Sequence, residues 1–369
     1  MNFKTLTQRA GAVAAALLVA GAAHAANLNS DKVGTEADFE DVTKFCGTKP
    51  IKVALSVGFM NANRQMKFEE LKDEAAKCPN ITEVGLADGQ GNPEKELANI
   101  RSLAAQGFDI ILLGPPDAGP AAIPAMRDAM RMGSVVIPIE VGVNFPGKIG
   151  TDYTTIVTPN QEQMASVYAQ FLVDQLHGKG NVIVWGGSPG APQTTAQEPG
   201  WKKVFADNPG INVLEGPVVS GWDPAQYQKV TTALLAKYPE IDGMYSDYGV
   251  GVLGSLRAFK AAGRPMPPVT GLDANGAQCF YTENKPNEPK LEMGLTSSWT
   301  WIFRLALRKG LAAVNDIDSE EPSIVNVDLL VDSTADNPEI HPVCDPDLPA
   351  DVSLHSSLLS KEQLIAIFK

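Results

Sequence analysis

Residues 92–140, NPEKELANIRSLAAQGFDIILLGPPDAGPAAIPAMRDAMRMGSVVIPIE, decide the fold, because residues 223–273, DPAQYQKVTTALLAKYPEIDGMYSDYGVGVLGSLRAFKAAGRPMPPVTGLD, pass through the same landmarks in the same order. Asn92-Pro93 opens a helix that leads to Gly107-Phe108-Asp109 and a strand. Then come Gly114-Pro115-Pro116-Asp117, a second helix, Met132-Gly133 and a strand ending at Glu140. Asp223-Pro224 opens the second block, which continues through Ile241-Asp242-Gly243, a strand, Ser246-Asp247-Tyr248-Gly249, a second helix, Ala262-Gly263 and a strand ending at Asp273. From first to last landmark the blocks span 48 and 50 residues, so the chain reads as two lobes of one design.

Outward from these blocks, short β-branched runs alternate with stretches of helical period, the pattern of βαβ units and a mostly parallel sheet. The strands expected are Ile51–Phe59, Thr82–Ala87, Asp109–Leu113, Val135–Ile139, Asn181–Trp185, Asn212–Val219, Gly243–Ser246 and Val269–Leu272. The clearest helix runs from Gln161 to Leu176. Met164, Val167, Phe171, Leu172 and Leu176 form its apolar stripe, and Asn160 with Gln163 offers an N-cap and its reciprocal partner. The fold class is therefore α/β, with two lobes built on parallel sheets.

The 369 residues are 44% hydrophobic and 20% charged, enough for two sizeable cores at roughly 150 residues per domain. A formal net charge of −13 has the wrong sign for neutralising a phosphate backbone or an anionic membrane surface, which argues against nucleic acid as a partner. Lys4 and Arg9 precede the apolar stretch Ala10 to Ala23, and Ala23-His24-Ala25 places small residues where a signal peptidase reads. That stretch reaches about 21 Å as a helix, short of a membrane core of roughly 30 Å, so it directs export without anchoring. Residues 1–25 are expected to be a signal peptide cleaved after Ala25, leaving a periplasmic protein whose charge falls to −15.

Cys46, Cys78, Cys279 and Cys344 are an even set in an oxidising compartment, with three pairings available. The strand from Ile51 leaves Cys46 and the next helix returns toward it, which favours Cys46 with Cys78 and leaves Cys279 with Cys344. No C-x-x-C occurs, and the mature chain keeps only His177, His341 and His355, so neither a metal site nor a cofactor is expected.

In open α/β sheets ligands bind beyond the carboxyl ends of the strands, and two such lobes facing each other make a cleft. The repeat sets Glu140 and Asp273 at equivalent strand ends, where carboxylates accept hydrogen bonds from ligand hydroxyls. Trp222, Tyr248 and Trp299 fall on loops after strands and offer flat rings to the C–H faces of a sugar or polyol, and Asp247 shares a turn with Tyr248. Trp185 also ends a strand; for it and for Trp301, core packing is an equal alternative. Asn61, Asn63 and Arg64 follow the first strand as amide and guanidinium donors.

The order of Ile51-Lys-Val-Ala-Leu, Gly107-Phe-Asp109, Gly178-Lys-Gly180-Asn-Val, Gly221-Trp-Asp223, Leu253-Gly254 and Gly271-Leu-Asp273 resembles the periplasmic sugar-binding proteins of the ribose and galactose type, which feed ABC transporters. The resemblance covers about Lys52 to Ser333 and implies two Rossmann-like lobes joined by three crossovers, near Val157-Thr158, Ser297-Ser298 and Val331-Asp332. It implies an N-terminal lobe of residues 46–157 plus 299–330 and a C-terminal lobe of 159–297 plus 331–369. By position it makes Asp273 the sugar-binding aspartate, Trp222 the stacking aromatic and Ser298 a polar residue near a hinge, with Glu140 where the family usually has aspartate. This sequence departs from ribose binders in two places: Thr195, with Gln193 nearby, stands in place of an arginine, and Tyr248 in place of an asparagine.

Gly186-Gly187-Ser188-Pro189-Gly190 matches the G-x-S-x-G pattern of a hydrolase, but Pro189 has no backbone N–H for an oxyanion hole, so no enzymatic activity is expected. No G-x-x-x-x-G-K-[ST] phosphate loop occurs. The expected function is that of a monomeric exported protein that captures a neutral sugar or polyol and delivers it to a membrane permease. The alternative is a ligand-binding sensor docking on a chemoreceptor or histidine kinase, which would need the same binding lobes.

Overall fold

The structure, a computed structural model, describes residues 26–368; the expected signal peptide and its cleavage site lie outside them. After a short strand β1 (Val33–Gly34) the chain runs β2 (Ile51–Val57), α1 (Ala62–Ala75), β3 (Ile81–Asp88), α2 (Pro93–Ala105), β4 (Ile110–Leu113), α3 (Ile123–Arg131) and β5 (Val135–Pro138). It continues through β6 (Thr158–Pro159), α4 (Gln161–Gln175), β7 (Gly180–Gly186), α5 (Pro192–Asp207), β8 (Ile211–Val219), α6 (Pro224–Lys237), β9 (Gly243–Tyr245), α7 (Gly249–Ala261), β10 (Val269–Leu272), α8 (Asn275–Asn284) and β11 (Met293–Thr296). Helix α9 (Ile302–Asn315), β12 (Ile324–Val325), β13 (Leu329–Asp332) and α10 (Lys361–Ile367) follow.

The repeat read from sequence is a repeat of topology. One sheet has the order β3-β2-β4-β5 and the other contains β8-β7-β9-β10, so each strand of the first lobe has a counterpart in the second. All of these pairs are parallel. The second sheet is extended by β11, parallel to β10, and by β13, antiparallel to β11. Local chemistry explains the matching helix starts: Asn92 caps α2 by accepting from the Lys95 N–H at 3.1 Å, and Asp223 caps α6 by accepting from the Ala225 N–H at 2.9 Å. In each case proline takes the first helical position, where no amide is needed.

The chain passes between lobes at β6, after β11, and after β12. Strands β1, β12 and β6 make a small parallel sheet at this junction, and none of the three is longer than two residues. The third passage comes earlier than the Val331-Asp332 expected from sequence, because Val331 and Asp332 already pair with Leu295 and Gly294 inside the second sheet. Asn160 does cap α4, accepting from the Gln163 N–H at 3.3 Å. The Gln163 side chain does not reciprocate; it spends both its ends on the Val327 backbone, at 3.1 and 3.0 Å, and so fastens α4 to the third passage.

Both disulfides pair as read, Cys46 with Cys78 and Cys279 with Cys344. The second one holds the tail against α8, after which the tail leaves that lobe. Leu348, Val352, Leu359 and Leu364 pack with Met66 of α1, and Gln65 Nε2 donates to the Ile367 carbonyl at 3.0 Å. Residues 345–368 thus run from the second lobe to the first. Helix α1 is itself tied to α9 by a buried ionic network, in which Arg304 binds Glu70, Asp73 and Glu74, and Arg308 binds Glu74 and Glu321 at 2.7 Å each. These contacts fix the direction of α1, whose N-terminus faces the site.

Candidate functional site

The carboxyl ends of the strands in both sheets face one cavity of about 100 Å³. One water takes roughly 10–15 Å³ on the same measure, so the space suits a solute of monosaccharide size. All eleven candidate residues line it. Asn61 is the N-cap of α1, Asn63 and Arg64 lie in its first turn, and Glu140 follows β5. Gln193 comes from the first turn of α5, Trp222 from the loop after β8, and Asp247 and Tyr248 from the loop after β9. Asp273 follows β10, and Ser298 and Trp299 follow β11. Helices α1, α5, α7 and α8 all begin at this cavity, and their N-terminal dipoles favour the carboxylates gathered there.

The rings are seated by their backbones. Trp222 and Trp299 both adopt left-handed backbone conformations, with φ of 52° and 55°. Gly187 leaves room for the Trp222 indole: a Cβ built on it would lie 2.2 Å from Cζ2 of that ring. The Trp222 Nε1–H points to Asp247, 3.3 and 3.4 Å from its two oxygens. Trp299 is 4% exposed, yet its Nε1–H has no partner among the described residues. That donor belongs to a residue at the cavity wall, where a ligand oxygen or a water would satisfy it. Burial pushes the Tyr248 hydroxyl up to about 12, helped by the nearby negative charge of Asp351.

Each acidic group has a different situation. Glu140, with φ of 59°, forms a buried ion pair with Lys67, whose ammonium is pushed down by burial while Glu140 resists the shift. Asp273 is held by the tail: Oδ2 accepts from the His355 N–H at 2.6 Å and the Ser356 N–H at 3.2 Å, and Oδ1 from Gln278 Nε2 at 2.7 Å. Among the described residues Asp247 accepts only from the neutral donors Trp222 and Gln197, and burial pushes its carboxyl up to about 6. Arg64 is forked onto Asp117 at 2.7 and 2.9 Å and lies 3.9 Å over the Phe59 ring, so its charge is already matched.

Other candidates are engaged or lie elsewhere. Asn61 caps α1 by accepting from the Arg64 N–H at 2.9 Å, whereas Asn63 makes no side-chain hydrogen bond among the described residues. Ser298 hydrogen-bonds Ser353 and Ser356 of the tail. Thr195 is exposed and absent from the cavity wall; Gln193 and Gln197, one helical turn apart, line it instead. Trp185 stacks on Tyr227 at 4.3 Å and Trp301 packs on Phe39 at 5.1 Å, so both are core residues. Among the described residues no three His, Cys, Asp or Glu side chains are placed to hold a metal ion.

Sequence reasoning missed Phe59, Lys67, Gln197 and Asp351. Lys67 and Gln197 each lie one turn along a helix from a candidate that was recognised, at three and four residues from Arg64 and Gln193, and that spacing was the available signal. Asp351 sits in an irregular tail with no periodicity to place it.

Residues 51–285 match the family model described as a periplasmic binding protein domain. The xylitol-binding protein of Mycolicibacterium smegmatis is 26% identical over 205 residues, which cover 56% of this chain and 57% of that protein, less than two thirds of its length. The ribose import binding protein RbsB of Escherichia coli is 28% identical over 222 residues, covering 56% and 68%. An ABC transporter solute-binding protein from Thermobispora bispora superposes with a TM-score of 0.64 at 26% identity, over 76% of this chain and 85% of that one. Another, from Agrobacterium vitis with bound D-fucose, gives 0.67 at 17% identity over 80% and 100%, a likeness of fold.

Proposed function

Because the chain belongs to the periplasmic binding protein family, whose members compared above are solute-binding proteins rather than enzymes, we propose that it captures a sugar or polyol between its two lobes and delivers it to an ABC transporter permease. Export through residues 1–25, cleavage after Ala25 and action as a monomer in the periplasm belong to the same proposal. The observation that carries it is a cavity at the strand ends to which both halves of a duplicated scaffold contribute. Glu140 and Asp273, at equivalent strand ends, stand in its wall together with the rings of Trp222, Tyr248 and Trp299.

The work is done by closure. Contacts made by both lobes exist only when the lobes are together, so a ligand binds the closed state more tightly and shifts the population toward it; periplasmic binding proteins are a standard case of such hinge motion. A ligand bound only by the folded chain raises its melting temperature. A thermal-shift screen of residues 26–369 against pentoses, hexoses, deoxysugars and polyols is expected to give at least one concentration-dependent stabilisation. Absence of any response across the panel counts against the proposal.

A further inference from the structure

The cavity carries more negative charge than its own cations balance. Lys67 is committed to Glu140, and Arg64 to Asp117. That leaves Asp247 and Asp351, neither of which has a Lys, Arg or His within ion-pair distance among the described residues, and Asp273, whose nearest cationic candidate is the His355 ring at 3.6 Å. Asp247 is 5% exposed, and burial holds the carboxyls of both Asp247 and Asp351 above their ordinary range. Unpaired carboxylates are costly to bury, and a closing cleft removes still more water from them. A metal ion is not the answer, since these groups do not gather at one point.

What surrounds the two carboxylates is aromatic. Tyr248 lies near Asp351, the Trp222 indole reaches Asp247, and Trp299 lines the same space. Carboxylates backed by ring faces are the surroundings that recognise an organic cation. We propose that the ligand is a sugar or cyclic polyol bearing a protonated amine, with Asp247 and Asp351 as the groups that select it. This rests on the sugar and polyol reading above and departs from the neutral ligand expected from sequence. It also assigns the tail a part in recognition, because Asp351 reaches the cavity only through the docked segment after Cys344.

The test is paired titration calorimetry at neutral pH, comparing D-glucosamine with D-glucose, D-galactosamine with D-galactose, D-mannosamine with D-mannose, and an aminocyclitol with myo-inositol. At least one amino compound is expected to bind about tenfold or more tightly than its hydroxyl counterpart, the effect of one charge-assisted hydrogen bond. Asp247→Asn and Asp351→Asn are each expected to lower that ratio, and either variant alone carries the test if the other fails to fold. Equal or tighter binding of every neutral partner overturns the amine assignment while leaving the sugar reading standing, as does a ratio unchanged in both variants. No binding by any member of any pair overturns both.

Discussion

Substitution Asp273→Ala separates two roles for the residue that sequence analysis marks as the principal ligand acceptor. Its carboxylate accepts two hydrogen bonds from backbone N–H groups of the tail, at His355 and Ser356, one from Gln278 Nε2 and a longer one from the Ser356 hydroxyl. Hydrogen bonds to a charged group contribute roughly 1.5–3 kcal/mol each, and the short ones here are those from His355 and Gln278. The adjoining cavity lets water replace part of what is lost, so the net cost is expected to be about 2–4 kcal/mol in the absence of ligand. Even the lower figure corresponds to about thirtyfold in an opening equilibrium. Urea unfolding measures the global part, and amide hydrogen exchange over residues 353–358 measures the local part, where protection is expected to fall by that factor or more. If stability and tail protection are unchanged while ligand affinity alone drops, the anchoring role is wrong.

Trp222→Ala is expected to weaken ligand binding about tenfold or more and to change the fluorescence response to ligand, and Gly187→Ala should reproduce part of that loss because a Cβ meets the indole at 2.2 Å. Asp247 titrates near 6 in the folded chain against roughly 4 when unfolded, so the folded state binds its proton more tightly. Stability should therefore decline as pH rises from about 4 to about 6, and urea unfolding of Asp247→Asn should lack this component of the decline; an identical pH profile would contradict the burial of an unpaired carboxylate. Replacing Cys279 and Cys344 by serine opens a loop with a sequence separation of 65, worth about 4 kcal/mol in the chain-entropy model, and should lower the melting temperature. Arg304→Ala strips one partner from Glu70, Asp73 and Glu74 and should cost about 3–5 kcal/mol by chemical denaturation, since it leaves buried carboxylates uncompensated.

The parts of the fold legible in sequence were those with periodicity or punctuation. Strand β4, Ile-Ile-Leu-Leu, is buried at all four positions, and Asn-Pro and Asp-Pro announce the two equivalent helices. The small junction sheet could not be read, because two-residue strands such as Thr158–Pro159 carry no alternation. Strand β11, Met-Gly-Leu-Thr, has only one β-branched residue and a glycine, and passes for a loop. Helix α1 buries Arg64, Lys67, Glu70 and Glu74, so its inward face looks like a solvated one until α9 and Glu140 supply partners. At the site, the strand-end rule together with the family resemblance named eleven residues that line one cavity, but spacing alone did not reveal which were free to meet a ligand. Arg64, Glu140, Asp273 and Ser298 spend their polar atoms on Asp117, Lys67 and the tail, contacts made across long sequence separations.

A crystal structure of the protein grown with whichever sugar or polyol raises its melting temperature most would test the central claim. The account predicts one molecule between the lobes, in contact with Trp222 and Asp247 from the second lobe and with side chains of the α1 N-terminus from the first. A molecule bound outside this cavity, or held by one lobe alone with the other unengaged, would contradict it.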